Sequence, residues 1–388
     1  MGTVLFLYNF VLKALLLLVV FFLGYKYVVK YRLNKINYVL LFGLHYILTF
    51  LGWMFTLNSK TDATYYLRKA TEASSWFDTF GLSSKMISFI MYPMLHYLKF
   101  DFQLLILIYS SFSFFGFLIL YKLINKIDHS QNNTILGIKT QNIILFLPSF
   151  HFWVCLLGKD SLIFFFFTLL LDKLEHWRQN KLQLSIILLF ILFIRPYIVI
   201  FLLSSFAICF LFLSLNSFKK VLLFILLLIV LSIVTLQVFK ALNLDVFTFL
   251  SERLEFVTGY FDKKEGTGSF IDPSEYNSFS KMFMYLFSPT IIGASGLFQI
   301  YIALENLLIL IIFVKLLYNF SFKLLRKNVI IAVLLLYTII FLFIKSYLLY
   351  NLGLANRQKY MILPTIFYIM FMFYSYQNSK KKLSKQHV

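Results

Sequence analysis

Apolar residues gather in long blocks separated by short polar or basic stretches. The blocks fall near 4–25, 36–57, 101–121, 141–157, 161–177, 184–194, 197–215, 221–239, 298–319, 328–350 and 360–376. A helix rises 1.5 Å per residue, so about twenty apolar residues span a hydrocarbon core about 30 Å thick. The pattern therefore predicts an all-α, polytopic membrane protein with about eleven crossings. Several blocks are short for an upright helix and predict tilted or re-entrant segments.

One interruption decides the count. Arg195 and Pro196 break an apolar run from Leu184 to Leu215. One helix over that run would reach about 48 Å, much longer than the membrane core. Its central arginine would cost a few kcal/mol in lipid. Proline removes a backbone donor and disfavours helix at the preceding residue. The expectation is two short helices meeting at Arg195.

Composition agrees with the blocks. The chain is 61% hydrophobic and 13% charged, with a mean hydropathy of +0.83. No polar stretch is long enough for a separate soluble domain, so residues 1–388 read as a single membrane domain. The first block has no basic leader and no small-residue cleavage site, and reads as a retained helix. Cys155 and Cys209 lie inside apolar blocks and read as packing residues. His45 and His151 likewise read as packed polar residues, with no paired metal spacing; no metal or cofactor is expected.

The net charge of +20 raises the question of nucleic acid. Its distribution answers it. With the loop carrying Lys26, Lys30, Arg32 and Lys35 placed inside, alternate loops gather nineteen basic residues against only Asp128, Asp172 and Glu175. The other loops are nearly neutral. This asymmetry is the positive-inside signature, and no nucleic-acid partner is expected. A single crossing over 184–215 would move Lys219, Lys220 and the basic runs near 323–327 and 380–385 outside, which the asymmetry opposes. Arg195 belongs at the outer face, with the N-terminus outside and the C-terminus inside.

The outer face carries the candidate chemistry. A first large loop, 58–100, holds Asp62, Tyr65 and Tyr66, then Arg68, Lys69 and Glu72; its apolar second half, Ser84 to Lys99, is expected at the interface and bent at Pro93. Lys159 and Asp160 follow Gly158 at a hairpin tip. A main loop, 240–297, contains Arg253 and ends in an amphipathic stretch, Met282 to Ile292. Arg357 lies in a last short loop, and Glu305 lies inside an apolar block. Arginine forks grip phosphate oxygens through paired, charge-assisted hydrogen bonds. A carboxylate can deprotonate an attacking sugar hydroxyl, and preorganised cations stabilise a departing phosphate. Other readings stand beside these. Arg195 also suits an interfacial anchor, Asp62 and Asp160 suit helix starts, and Arg253 suits solvated ion pairs. Glu305 needs a partner or a proton wherever it sits.

This plan resembles the Wzy-type O-antigen and capsule polymerases of the bacterial envelope: ten to fourteen helices, one dominant periplasmic loop, outer arginines and no soluble domain. It is also similar to the glycosyltransferase C superfamily, where an aspartate in the first outer loop acts near the acceptor; Asp62 in Thr-Asp-Ala-Thr-Tyr-Tyr matches that placement. The chain departs from many of that superfamily in lacking an adjacent acidic pair in this loop and a C-terminal soluble domain. The resemblance implies a multi-pass protein of the bacterial inner membrane that polymerises undecaprenyl-pyrophosphate-linked repeat units. Its implied partners are that lipid-linked oligosaccharide, membrane lipid, a chain-length regulator and a flippase. Arg195, Arg253 and Arg357 would hold pyrophosphate, Asp62 would activate or orient the acceptor, and Tyr65, Tyr66, Tyr260 and Tyr276 would stack on sugars. Single-sugar transfer from a polyprenyl phosphate, transport of a lipid-linked solute and a non-catalytic scaffold are the competing classes. A transporter predicts internal repeats and midplane charges; the sequence shows no convincing repeat.

Overall fold

The computed structural model describes residues 2–59, 61–128, 133–213, 276–292, 294, 296–347 and 351–386. The apolar block at 221–239, most of the 240–297 loop, and with it Arg253 and Tyr260, lie outside the described residues. The described residues are mostly helical, and five helices are long and apolar enough to cross a membrane. Two further apolar helices, Lys181–Ile194 and Pro196–Phe210, are shorter. The chain divides into two compact units, Met1–Ile200 with Leu308–Ser321 and Tyr360–Val388, and Phe201–Leu307 with Phe322–Lys359.

The first unit is organised around α5 (Phe102–Ile127), whose residues are mostly buried. Asp101 caps its N-terminus, accepting from the Leu104 N–H at 2.8 Å, and takes the Lys13 ammonium at 2.6 Å. Around α5 pack α1 (Gly2–Lys30), α2 (Lys35–Asn58), α7 (Pro148–Cys155), α8 (Lys159–Leu174) and α16 (Leu363–Gln386). The apolar side chains of α1 stay largely exposed, Phe6 and Val4 among them, as expected of a helix facing lipid. Gly116 lets α8 approach α5: a Cβ there would stand 2.8 Å from the Phe164 ring and 3.3 Å from the Phe165 backbone.

The expected block at 141–157 is not one helix. It is divided into α6 (Thr140–Leu145) and α7, with Pro148 starting the second, where its missing N–H costs no helical bond. Ahead of it lies a two-stranded antiparallel hairpin, Thr134–Ile135 with Ile138–Lys139, turning through Leu136 and Gly137, both at positive φ. The all-helical expectation did not include it.

The loop 58–100 folds into two short helices packed on one another, α3 (Asp62–Thr71) and α4 (Ser84–His96). Thr61 and Thr64 form a reciprocal capping box at the start of α3. Trp76 stacks on Phe89 and donates its indole N–H to the Phe89 carbonyl at 2.9 Å, fixing the intervening turn to α4. Pro93 sits inside α4 without ending it.

The 184–215 run breaks where expected, into α9 (Lys181–Ile194) and α10 (Pro196–Leu213). Arg195 between them is extended, at φ −145°, ψ 83°. α9 follows α8 and packs along it. Arg195 at the end of α9 meets Asp160 at the start of α8, so the pair forms an antiparallel hairpin.

In the second unit, α11 (Ser278–Phe287) packs against α14 (Val329–Tyr347) and α15 (Leu352–Gln358), and α13 (Phe322–Lys327) packs against α14. α11 covers the first part of the expected amphipathic stretch 282–292. α12 (Leu297–Tyr318) carries Glu305 and Asn306 within its first half.

Candidate functional site

Three stretches far apart in sequence meet in the first unit: the α3–α4 loop, the tip before α8, and the α9–α10 break. The break is the anchor. Pro196 has no N–H for the Leu192 carbonyl, and the extended Arg195 ends α9, so its last carbonyls lack helical donors. The Phe193 carbonyl instead accepts the Ser83 N–H at 2.7 Å. Ser83 reaches it with φ 64°, ψ −116°, a conformation that an L-residue adopts only under strain.

Arg195 is 8% exposed and Asp160 8%. One guanidinium nitrogen, Nη2, donates to Asp160 Oδ1, while Nη1 donates to the Tyr197 hydroxyl at 2.7 Å. Tyr197 in turn donates to Met361 Sδ at 3.4 Å. The sequence anticipated a cation and a carboxylate in this region but not that they pair. Asp160 also lies in the first turn of α8, where the helix dipole favours a negative charge.

Lys159 points the other way. Its ammonium donates to Ser83 Oγ at 2.8 Å and stands 5.7 Å from the centre of the Tyr66 ring. Tyr66 is buried and lies against Gly158, whose φ of +155° and 3.3 Å clearance to that ring make it a poor place for any side chain. Ser83, a residue without any conspicuous sequence signal, thus ties Lys159 at the start of α8 to the Phe193 carbonyl near the end of α9.

Asp62 and Tyr65 occupy exposed positions on α3. Asp62 is in the first helical turn, and the Tyr65 ring is edge-on to Tyr66. Beside this cluster, α3, α4 and the turn between them border a half-open cavity of about 560 Å³. It is lined by Tyr65, Lys69, Glu72, Asp78, Ser84 and Lys85 among others. Asp78 accepts from Ser74 Oγ at 2.6 Å and the Ser75 N–H at 2.8 Å. Those bonds, Ser74 foremost, hold its carboxyl below the usual range.

Glu305 and Arg357 belong to the second unit. Glu305 is buried and accepts the Tyr301 hydroxyl one turn earlier. Arg357, in α15, is half-buried. The residue that structure singles out there is Lys359, fully buried. Its ammonium donates to Asn306 Oδ1, to Asn356 Oδ1 at 2.6 Å and to the Leu286 carbonyl at 3.5 Å. Asn306 donates onward to the Pro289 carbonyl at 3.0 Å. Burial pulls the Lys359 pKa down to about 7, with the Glu305 charge acting in the opposite direction.

His45 and His151 are brought together deep in the first unit, Nδ1 to Nδ1 at 2.9 Å. The outer ring nitrogens meet the Ser110 carbonyl and hydroxyl on one side and the Leu145 carbonyl on the other. Two neutral rings satisfy this chain: the Ser110 hydroxyl donates to His45, His45 to His151, and His151 to Leu145. Among the described residues, no three His, Cys, Asp or Glu side chains gather as a metal cluster.

At the far end of α8 a separate set of ion pairs forms, Lys122 with Asp172 at 2.5 Å and Lys126 with Glu175 at 2.7 Å. These are residues of the basic loops. The class defined by these features is a helical protein with membrane-type apolar helices and a polar, charged cluster opposite its basic end. No protein-family model, curated protein or solved structure matches the chain.

Proposed function

We propose that the chain is a glycosyltransferase of the bacterial inner membrane, joining undecaprenyl-pyrophosphate-linked repeat units into a surface polysaccharide at the outer face. The observation that carries this reading is the meeting of Tyr66, Lys159, Asp160 and Arg195 beside a half-open cavity, at the end of α8 away from the basic loops. Such a place suits a substrate whose lipid lies in the membrane and whose sugars lie outside it.

In this reading the residues divide the work. Arg195, fixed by Asp160 and Tyr197, holds the α8–α9 corner. The Lys159 ammonium donates to Ser83 Oγ, and a pyrophosphate oxygen is a stronger acceptor than a hydroxyl. Charge accumulating on the departing pyrophosphate would be stabilised there. Asp62 takes the acceptor hydroxyl by the resemblance alone. Arg253 is carried in the same way.

The test uses a strain depleted of its own chain and complemented with variants. Lys159→Gln is expected to replace long polysaccharide with single repeat units while the protein remains in the membrane at normal level. An unchanged chain-length distribution would sink the role of Lys159 and the reading with it. Transport of a lipid-linked solute is the second reading, favoured by the His45–His151 chain of polar groups inside the apolar core. It predicts movement of a labelled polyprenyl-linked sugar across proteoliposomes, lost in His151→Phe.

A further inference from the structure

The α3–α4 cavity has a charge arrangement of its own. Its two acids are engaged: Asp78 by Ser74 and Ser75, Glu72 by Arg68 at 3.9 Å on the same helix. Its two lysines are not. Lys69 and Lys85 line the cavity and form no hydrogen bond or ion pair among the described residues. Gly81 makes room for Lys85: a Cβ on it would stand 2.8 Å from the Lys85 Cδ. The first turn of α4 faces the same space through Ser84 and Lys85, and the Ser83 side chain does not cap that turn, being engaged with Lys159. The cavity therefore presents two unengaged ammonium donors beside two carboxylates that have hydrogen-bond or ion-pair partners of their own.

A bare polyanion does not use the rest of the lining. Glu72 and Asp78 repel any anion, a doubly charged phosphate more than a single carboxylate, and their oxygens are good acceptors for sugar hydroxyls. The Ser84 hydroxyl both donates and accepts, the Ser74 and Ser88 hydroxyls, which donate to Asp78 and to the Tyr66 carbonyl, still accept, and Tyr65 is 44% exposed as an apolar platform. One ligand class uses all three: a saccharide carrying a carboxylate, with its acid on Lys69 and Lys85, its hydroxyls on the serines and acids, and a ring face on Tyr65.

We propose that the α3–α4 cavity is a binding site for an acidic saccharide, held by Lys69 and Lys85 through a sugar carboxylate. This rests on the glycosyltransferase reading in one respect, that the acidic sugar is part of the polymer or its acceptor.

The test measures binding of tri-galacturonate to the full chain in phosphatidylcholine nanodiscs by calorimetry, with no lipid-linked donor present. The expected result is saturable binding, weakened about tenfold by Lys69→Gln or by Lys85→Gln, as for loss of one charge-assisted hydrogen bond. Lys69→Arg keeps the charge and should retain most of it. The methyl ester of the same trisaccharide, uncharged but otherwise alike, should bind at least about tenfold more weakly. Equal binding of ester and acid, or binding indifferent to both lysine changes in variants with unaltered melting, overturns the proposal. So does full displacement by phosphatidylglycerol in the nanodisc, which assigns the lysines to lipid headgroups. Because no transfer occurs in this experiment, it separates the two claims. Binding with a normal polymer in Lys159→Gln defeats the transferase reading alone; absent binding with loss of polymer in that variant defeats the cavity alone.

Discussion

Arg195 shows how much a single residue reveals and conceals. A charge and a proline in an apolar run were enough to locate the break, because both are costly in a helix within lipid. The partner was not legible: Asp160 lies 35 positions away and reads equally well as a helix start. Both side chains are about nine-tenths buried, so removing one strands the other. Arg195→Met should lower stability by about 3–5 kcal/mol, whereas Arg195→Met with Asp160→Leu should recover most of the loss. Chemical unfolding in detergent measures both, and equal losses for the single and double variants would count against the pair. Lys359 gives the opposite lesson. In sequence it is one of several polar residues in a short loop, and Arg357 looked the better candidate. The structure buries Lys359 among carbonyl oxygens and brings its pKa to about 7. A lysine in the unfolded chain keeps its proton to about pH 10.4. Between those values the unfolded state binds more protons, so this residue's contribution raises stability as pH rises from about 7 to about 10. The melting temperature of the wild type relative to Lys359→Met should climb over that window; a flat difference would refute it.

At the scale of elements, periodicity found the long helices and the shorter α8, α9 and α10, but not the way the loop 58–100 folds. The blocks at 4–25, 36–57, 101–121, 298–319 and 328–350 all became helices long enough to cross a membrane. The loop 58–100 carried its information in a different form. Thr61 with Thr64 caps α3, and Trp76 on Phe89 closes the turn, so local hydrogen bonds and one aromatic stack shape the segment. Thr61→Ala removes the cap and should weaken α3 by about 1 kcal/mol. Faster amide exchange across residues 64–70, with α5 unaffected, is the expected signature; unchanged exchange would show that packing on α4 alone holds the helix. The Ser83 conformation belongs to this scale as well. Its strain is offset by two bonds, one to the carbonyl freed at Phe193 and one from Lys159.

For the whole molecule, the prediction concerns sidedness. The charge pattern puts the α3–α4 loop outside and the α8–α9 loop inside. The structure places Lys159, Asp160 and Arg195 at one end of α8 and the Asp172 and Glu175 ion pairs at the other. In a background lacking the buried Cys155 and Cys209, Ser74→Cys should react with an impermeant thiol reagent in intact cells. Arg178→Cys should react only after permeabilisation. The reverse labelling would invert the topology and move the proposed chemistry to the cytoplasm. Ser74 is a better reporter than the tip at Gly158, where a side chain would be strained and would press on Tyr66.

The sequence by itself determined the class of molecule and the place where its longest apolar run must break. Those follow from transfer energies and backbone chemistry, which act residue by residue and need no partner to be known. Only the tertiary structure decided which charges neutralise one another, that Ser83 joins three distant stretches, and that Lys69 and Lys85 face a cavity whose acids are already engaged. Pairing is a property of distance in space, and the spacing of these residues along the chain does not encode it.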